Sequence, residues 1–261
     1  MIFSESFNCF FKLLSYNNII VIQINYLIEE SQYVGKGADT VISLVHNYFE
    51  QYSLGEEEII IHADNCSGQN KNNAMIQYLA WRVLTGKHKR ITYSFMVAGH
   101  TKFSPDSFFG LLKLKLKNSE VDDLEDLVNV VKSSTNGYNN AQTIYDESGE
   151  RKVFFYSWTE YLKKMFKPLQ NILKYHHFIF NQEQPGTIYV KKMIDEEFTI
   201  VDIAKNFDIE PILEQKHPLG LTPERQKYIL ENVIQYVQNP VKKSSIVKIF
   251  NKQKIFECAL K

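Results

Sequence analysis

Apolar residues recur along this chain in two rhythms, one of period two and one near 3.6, and their order predicts the architecture. The β-branched run "IIVIQINYLI" (19–28) predicts a strand, and polar "EESQYVGKG" follows it. In "ADTVISLVHNYFEQY", Val41, Leu44, Val45, Tyr48 and Phe49 recur at helical spacing. Gly55 closes that region, and "EEEIIIHAD" (56–64) predicts a second strand. Met75, Ile76, Leu79, Ala80, Val83 and Leu84 then form the apolar stripe of a second helix, ended by Gly86. "RITYSFMVAG" predicts a third strand, and "HTKFSPDSFFG" a loop whose Pro105 suits the first turn of a helix. Strand, helix, strand, helix, strand, helix is the order expected of an α/β domain.

Further along, "VDDLEDLVNVVKSS" predicts a helix with acids in its first turn, where the helix dipole favours them. "STNGYNN" and "DESGER" read as turns or loops. A short strand in "KVFFYSW", a helix near Tyr161 to Phe166 and a strand around Thr187 to Met193 come next. The last clear helix is "TPERQKYILENVIQYV", capped by Thr222 with Pro223 at its first position and Glu224 in its first turn. The tail "KKSSIVKIFNKQKIFECALK" is basic and reads as peripheral.

Composition narrows the partners less than it narrows the class. Apolar residues make up 44% of the 261, ample for a core and against wholesale disorder. Lys plus Arg and Asp plus Glu are both 30, so overall charge gives no argument for a polyanion partner. Cys9, Cys66 and Cys258 are far apart and odd in number, which is no disulfide framework and fits a reducing compartment. The most apolar early stretch is interrupted by Gln23 and Asn25 and is too short to span a bilayer. The first residues carry Glu5 and no basic leader, which argues against a signal peptide. An intracellular protein of nucleus or cytoplasm is expected.

The densest polar chemistry is "HADNCSGQNKNN" (62–73), directly after a strand. Asp64 stands at the carboxyl end of that strand, where α/β folds place reacting groups. With a period of two persisting into the turn, His62, Asp64 and Cys66 share a face. The competing account is an Asx turn in which Asp64 and the amides cap the next helix. Asp106 follows the next strand, and a strand–helix–strand unit can bring both acids to one end of a sheet. Two converging carboxylates hold a hard divalent ion such as Mg²⁺, and a pair of such ions can act on a phosphodiester. Alternatively, Asp106 merely complements the dipole of its helix. His100, in "GHTKFSPD", is suited to orienting a phosphate or a water, although a histidine after a strand is more often a hydrogen-bonded loop residue.

Weaker signals are set against these. His62, Cys66 and His176–His177 lack the spacing of a structural zinc site. "VGKGAD" lacks the flanking residues of a P-loop. "TIVDIAKNFDIEPI" (199–212) faintly suggests a helix-turn-helix with Ala204 in its first helix, but no basic recognition helix follows, so a surface helix is expected. "KHKR" (87–90) and "KLKLK" (113–117) read as solvated faces, unless they flank the Asp64 end of the sheet and meet a nucleic-acid backbone.

Taken in order, "YLIEE…VGKGADTVISL", "HADNCSGQNKNN", "YLAWRVL", "SFMVAGHTKFSPDSFFG", "YHHF" and "PLGLTPERQKYI" resemble a transposon-derived, RNase H-like family of unknown function. The resemblance runs from about Asn25 to Val241. It implies a mixed sheet flanked by helices with a mainly helical carboxy-terminal extension. It also implies an RNase H-like core over 25–135, a family-specific region over 136–241, a basic tail over 242–261 and an atypical segment over 1–24. Function is implied as well: a transposase or integrase ancestry with Mg²⁺-dependent DNA cleavage or strand transfer. Asp64 matches the second of three metal-binding acids and Asp106 stands for the third. Asn65, Gln69, Asn70, Lys71, His100 and Lys102 are candidates to contact nucleic acid or shape the site. The first acid has no counterpart, since "MIFSESFNCFFKLLSYNN" contains no Asp and Glu5 is a poor substitute, so an amino-terminally truncated and catalytically incomplete core is expected. A non-enzymatic nucleic-acid or protein-binding module, or a functionless fragment, is the alternative.

Overall fold

Buried and exposed positions alternate along the second strand, which belongs to the largest sheet among the described residues. The computed structural model describes residues 22–95, 104–208 and 212–246, with the backbone alone at 104–106. In chain order, β1 (Gln23–Leu27), α1 (Ala38–Tyr52), β2 (Glu58–Ala63), α2 (Asn73–Leu84) and β3 (Arg90–Phe95) come first. Next are α3 (Ser104–Lys117), α4 (Leu124–Ser133), β4 (Asn139–Thr143), β5 (Phe155–Tyr156) and α5 (Trp158–Met165). Then follow β6 (His177–Asn181), β7 (Thr187–Lys191), β8 (Thr199–Asp202), β9 (Gln215–Lys216) and α6 (Pro223–Tyr228). The result is an α/β fold with a mixed five-stranded sheet, in the order β2-β3-β6-β7-β8, and flanking helices. Only β2 and β3 run parallel, as a helical crossover between them requires; the rest is an antiparallel meander.

Register explains which face is buried. Ile59, Ile91, Phe180, Ile188 and Val201 lie in one line across the five strands, and Ile61, Tyr93, Phe178 and Val190 in another. Against this face packs α2, whose predicted stripe is almost wholly buried. On the opposite face Ile60, Thr92, Ile179, Tyr189 and Ile200 line up, with Ile60 and Ile200 exposed. The single-residue offset between the two sets is the period-two rule acting on every strand at once.

A separate parallel pair, β1 with β4, links two cores. Ile24 and Tyr26 join the main core, whereas Leu27 joins Leu112, Leu127, Val130 and Val131 beneath α3 and α4. The polar interruptions Gln23 and Asn25 are buried, and hydrogen bonds hold them: Gln23 Nε2 donates to Asn25 Oδ1 at 3.0 Å, and Asn25 Nδ2 to the Asn140 carbonyl at 3.2 Å. Helix ends follow their sequence signals. Gly86 adopts φ +71° just past α2, and Thr222 accepts from the Arg225 amide at 3.2 Å at the start of α6.

Four expectations are corrected. The carboxy-terminal region is not mainly helical: β4 to β9 fall in it, and three of them complete the large sheet. The surface helix expected at 199–212 begins instead as β8, and Ala204 makes an isolated bridge to Phe166, because Ile188 and Tyr189 of β7 offer a pairing edge. The expected loop "STNGYNN" supplies Asn139 and Asn140 to β4, held by β1 despite poor strand propensity. The last long helix keeps α-helical winding only to Tyr228, then widens to a π turn and tightens to a 3₁₀ turn.

Gly186, in the turn between β6 and β7, is the tightest glycine among the described residues. Its φ is +85°, and a Cβ there would lie 2.8 Å from both the Ala204 Cβ and the Phe207 Cζ. Gly149 has φ +83° but open space around it. Gly186→Ala is expected to cost about 2–3 kcal/mol in urea unfolding, left-handed strain plus overpacking, and Gly149→Ala only about 1 kcal/mol. Equal losses at the two positions would show that the packing at Gly186 is not limiting.

Candidate functional site

The polar run after β2 resolves into a turn with a defined hydrogen-bond plan. Asp64 is exposed, and its Oδ1 accepts from the Cys66 amide at 2.9 Å and from Asn70 Nδ2 at 2.8 Å. The Cys66 carbonyl gathers the amides of Gln69, Asn70 and Lys71 at 3.3, 2.8 and 3.0 Å. The cap of α2 is Asn72, which accepts from the Met75 amide at 3.0 Å. Asn73 Oδ1 accepts from the Leu169 amide at 2.7 Å, tying the turn to the chain beyond α5. An Asx turn therefore accounts for one oxygen of Asp64. Its Oδ2 has no hydrogen-bond partner among the described residues.

At this end of the sheet, β3 and β6 bring further chemistry to Asp64. Ser94 sits opposite His62 in register and opposite His177 on its other side, and Ser94 Oγ lies 3.0 Å from His177 Nδ1. The His176 carbonyl accepts from the Phe95 amide at 2.8 Å. Tyr93 donates its hydroxyl to the Asn70 carbonyl at 3.0 Å, pinning the turn to β3. Lys71 is 3% exposed; its Nζ donates to Asn65 Oδ1 at 3.0 Å and stands 4.9 Å from the Phe95 ring centre. Burial pushes the Lys71 ammonium below its ordinary pKa. His176 is lowered by burial and then by the Lys71 charge, and His177 by burial and then by Lys191, His176 and His62.

Of the residues expected here, Asp64, Asn65, Gln69, Asn70 and Lys71 all lie in this one turn. Asp106 lies in the first turn of α3, which packs with α4 in the second core; its side chain, His100 and Lys102 lie outside what the structure describes. Cys66 is an exposed free thiol. Ser94 was not singled out by sequence, and His176–His177 were weighed only as zinc ligands. Their arrival at the same end of the sheet as Asp64 depends on β6 pairing with β3, for which the chain carries no local signal. The boundary expected at residue 135 runs through this one sheet, which takes β2 and β3 from before it and β6 to β8 from after it.

Among the described residues, no three His, Cys, Asp or Glu side chains gather into a group that could hold a metal ion. No helix among them is long and apolar enough to cross a membrane. A family profile described as "Domain of unknown function (DUF7869)" matches residues 19–196. No curated protein and no solved structure matches the chain.

Proposed function

The chain belongs to the DUF7869 family, a domain of unknown function, and from that footing we propose that it is a transposase- or integrase-derived core of RNase H-like descent whose catalytic centre is incomplete. In the ancestral form, Asp64 and Asp106 would bind Mg²⁺ for phosphodiester cleavage or strand transfer on DNA. The observation that carries this reading is Asp64 itself. It is exposed at the carboxyl end of a parallel strand pair, with one oxygen held by the turn and the other uncommitted among the described residues. That is the position at which an α/β sheet presents a reacting group.

The described residues do not fit a two-ion centre. One free carboxylate oxygen, with no second acid grouped with it among the described residues, is too few hard ligands for Mg²⁺, which prefers six oxygens in an octahedron. The neighbour that would supply another acid in an RNase H-like sheet belongs beside β2, and no described strand pairs with the outer edge of β2. No chemical step through a metal is therefore assigned to this chain. A binding module that kept the fold without the chemistry remains the second reading, favoured by the same shortage of acids.

Supercoiled plasmid incubated with the full chain and Mg²⁺ or Mn²⁺ tests the incomplete centre. No nicking above buffer is expected, and Asp64→Asn should behave identically. Robust nicking by the native chain that Asp64→Asn abolishes would overturn the proposal and restore a working enzyme. Mn²⁺ titration followed by NMR adds a positive arm: broadening should centre on the Cys66 and Asn70 amides and disappear in Asp64→Asn. Broadening with no centre there would remove Asp64 as a ligand.

A further inference from the structure

Lys71 carries a charge that nothing described nearby balances. Its side chain is almost wholly buried, and its one hydrogen bond goes to a neutral amide oxygen, that of Asn65. The ring of Phe95 offers a second, weak partner. No carboxylate pairs with it among the described residues, although burying an ammonium without a counter-charge costs several kcal/mol. A methionine would fill the same space at lower cost, so the charge calls for another explanation.

A second orphan lies beside it. His176 Nδ1 is buried and has no hydrogen-bond partner among the described residues. The two groups are within electrostatic reach, since the Lys71 charge helps to lower the His176 pKa. Phe95 joins them physically: its ring lies under the ammonium, and its amide donates to the His176 carbonyl. Lys71 lacks a counter-charge, and His176 Nδ1 lacks a partner, among the described residues. Asp64 is the nearby acid, and its Oδ1 is turned back onto its own loop.

We propose that Lys71 and His176 form a receptor for a phosphate group at the end of β2 and β3. Asn65 is exposed and holds the ammonium in the absence of ligand. An entering phosphate displaces that amide oxygen from Nζ and accepts from Lys71 with one oxygen. Another oxygen accepts from His176 Nδ1 once the ring is protonated, a state that an adjacent dianion stabilises. A phosphate suits the site better than a carboxylate because it brings up to two charges and more acceptor oxygens to an unbalanced ammonium and a neighbouring imidazole. The receptor needs no metal and does not depend on Asp64 binding one.

The test uses the full chain in EDTA, with inorganic phosphate as one probe and a short single-stranded oligonucleotide as the other. Saturable stabilisation against thermal unfolding by inorganic phosphate is expected, beyond that of chloride at equal ionic strength. Lys71→Met should weaken that binding by about tenfold or more, the loss of a charge-assisted hydrogen bond. In phosphate-free buffer the same variant should be as stable as the native chain or more so, which a merely structural lysine would not allow. His176→Gln, an independent variant should Lys71→Met fold poorly, should weaken phosphate binding several-fold. Oligonucleotide binding that Lys71→Met abolishes would assign the phosphate to a nucleic-acid backbone; inorganic phosphate binding alone would assign it to a small molecule. No saturable effect of either probe, or unchanged binding by both variants, would overturn the receptor. With divalent ions absent, either failure leaves the Asp64 reading untouched.

Discussion

Trp158→Ala is expected to lose about 3–5 kcal/mol of unfolding free energy, the cost of emptying a large aromatic site in a core. Trp158 opens α5 and is 0% exposed. Its ring centre lies 5.0 Å from that of His46, 5.1 Å from Tyr78 and 5.2 Å from Trp81, each at a steep interplanar angle. One indole thus joins α1, α2 and α5, and edge-to-face contacts of this kind add about 0.5–1.5 kcal/mol per pair beyond area burial. The indole Nε1 is buried with no hydrogen-bond partner among the described residues, so Trp158→Phe discards an unsatisfied donor along with some volume. The phenylalanine variant should therefore keep most of the stability. Urea unfolding of both variants checks this, and an alanine loss below about 1.5 kcal/mol would show that the three helices do not depend on the indole for their packing.

Acid should destabilise the protein well before its carboxylates titrate. His46 and His88 both have their pKa lowered to about 4, against an ordinary 6.5. Burial is the main cause for each. The Arg82 guanidinium adds to it, donating from Nε to His88 Nδ1 at 3.1 Å and from NH1 to the Tyr78 hydroxyl at 2.9 Å. For His46, the attraction of Glu50, 3.9 Å away, opposes the shift without cancelling it. Because the folded pKa lies below the unfolded one, the unfolded chain binds more protons below pH 6.5. Stability is whole above that pH and is lost progressively down to about pH 4. At about 1.4 kcal/mol per unit, discounted for the partial exposure of His46, the two together cost roughly 3–5 kcal/mol by pH 4. Asp39 and Glu50, whose pKa values are lowered, add their loss only at the acid end of this window. Urea midpoints from pH 7 to 4 should fall steeply, and His46→Phe should flatten the slope. A flat profile between pH 6.5 and 4.5 would show that these imidazoles are not held neutral.

Where the chain announced itself, it did so through side chains acting on their own backbone. The run Ile59 to Ile61 announced a strand, and the dense polar residues after it announced a special turn with Asp64 at its start. Gly86 and Thr222 marked helix ends because a left-handed residue and an N-cap hydroxyl act within one turn of the backbone they terminate. The choice left open between cap and site is now divided: Asn72 caps α2, while Asp64 braces its own turn and keeps Oδ2 uncommitted among the described residues.

Other features are invisible to any local rule. "TIVD" looks much the same as the start of a helix or as an edge strand, and only the neighbouring β7 decides. Asn139 and Asn140 are poor strand formers that become a strand because buried β1 offers them partners. From local order, then, the sequence by itself determined an α/β fold, the parallel pair β2 and β3, and the place of Asp64 at their carboxyl end. Tertiary structure alone decided that β6 to β8 extend that sheet, that His177 comes to the same end of it as Asp64, and that Lys71 is buried without a described counter-charge. The reason is that propensity and capping are settled within a few residues. Strand pairing and the desolvation of a charge depend on which distant segment arrives next to it.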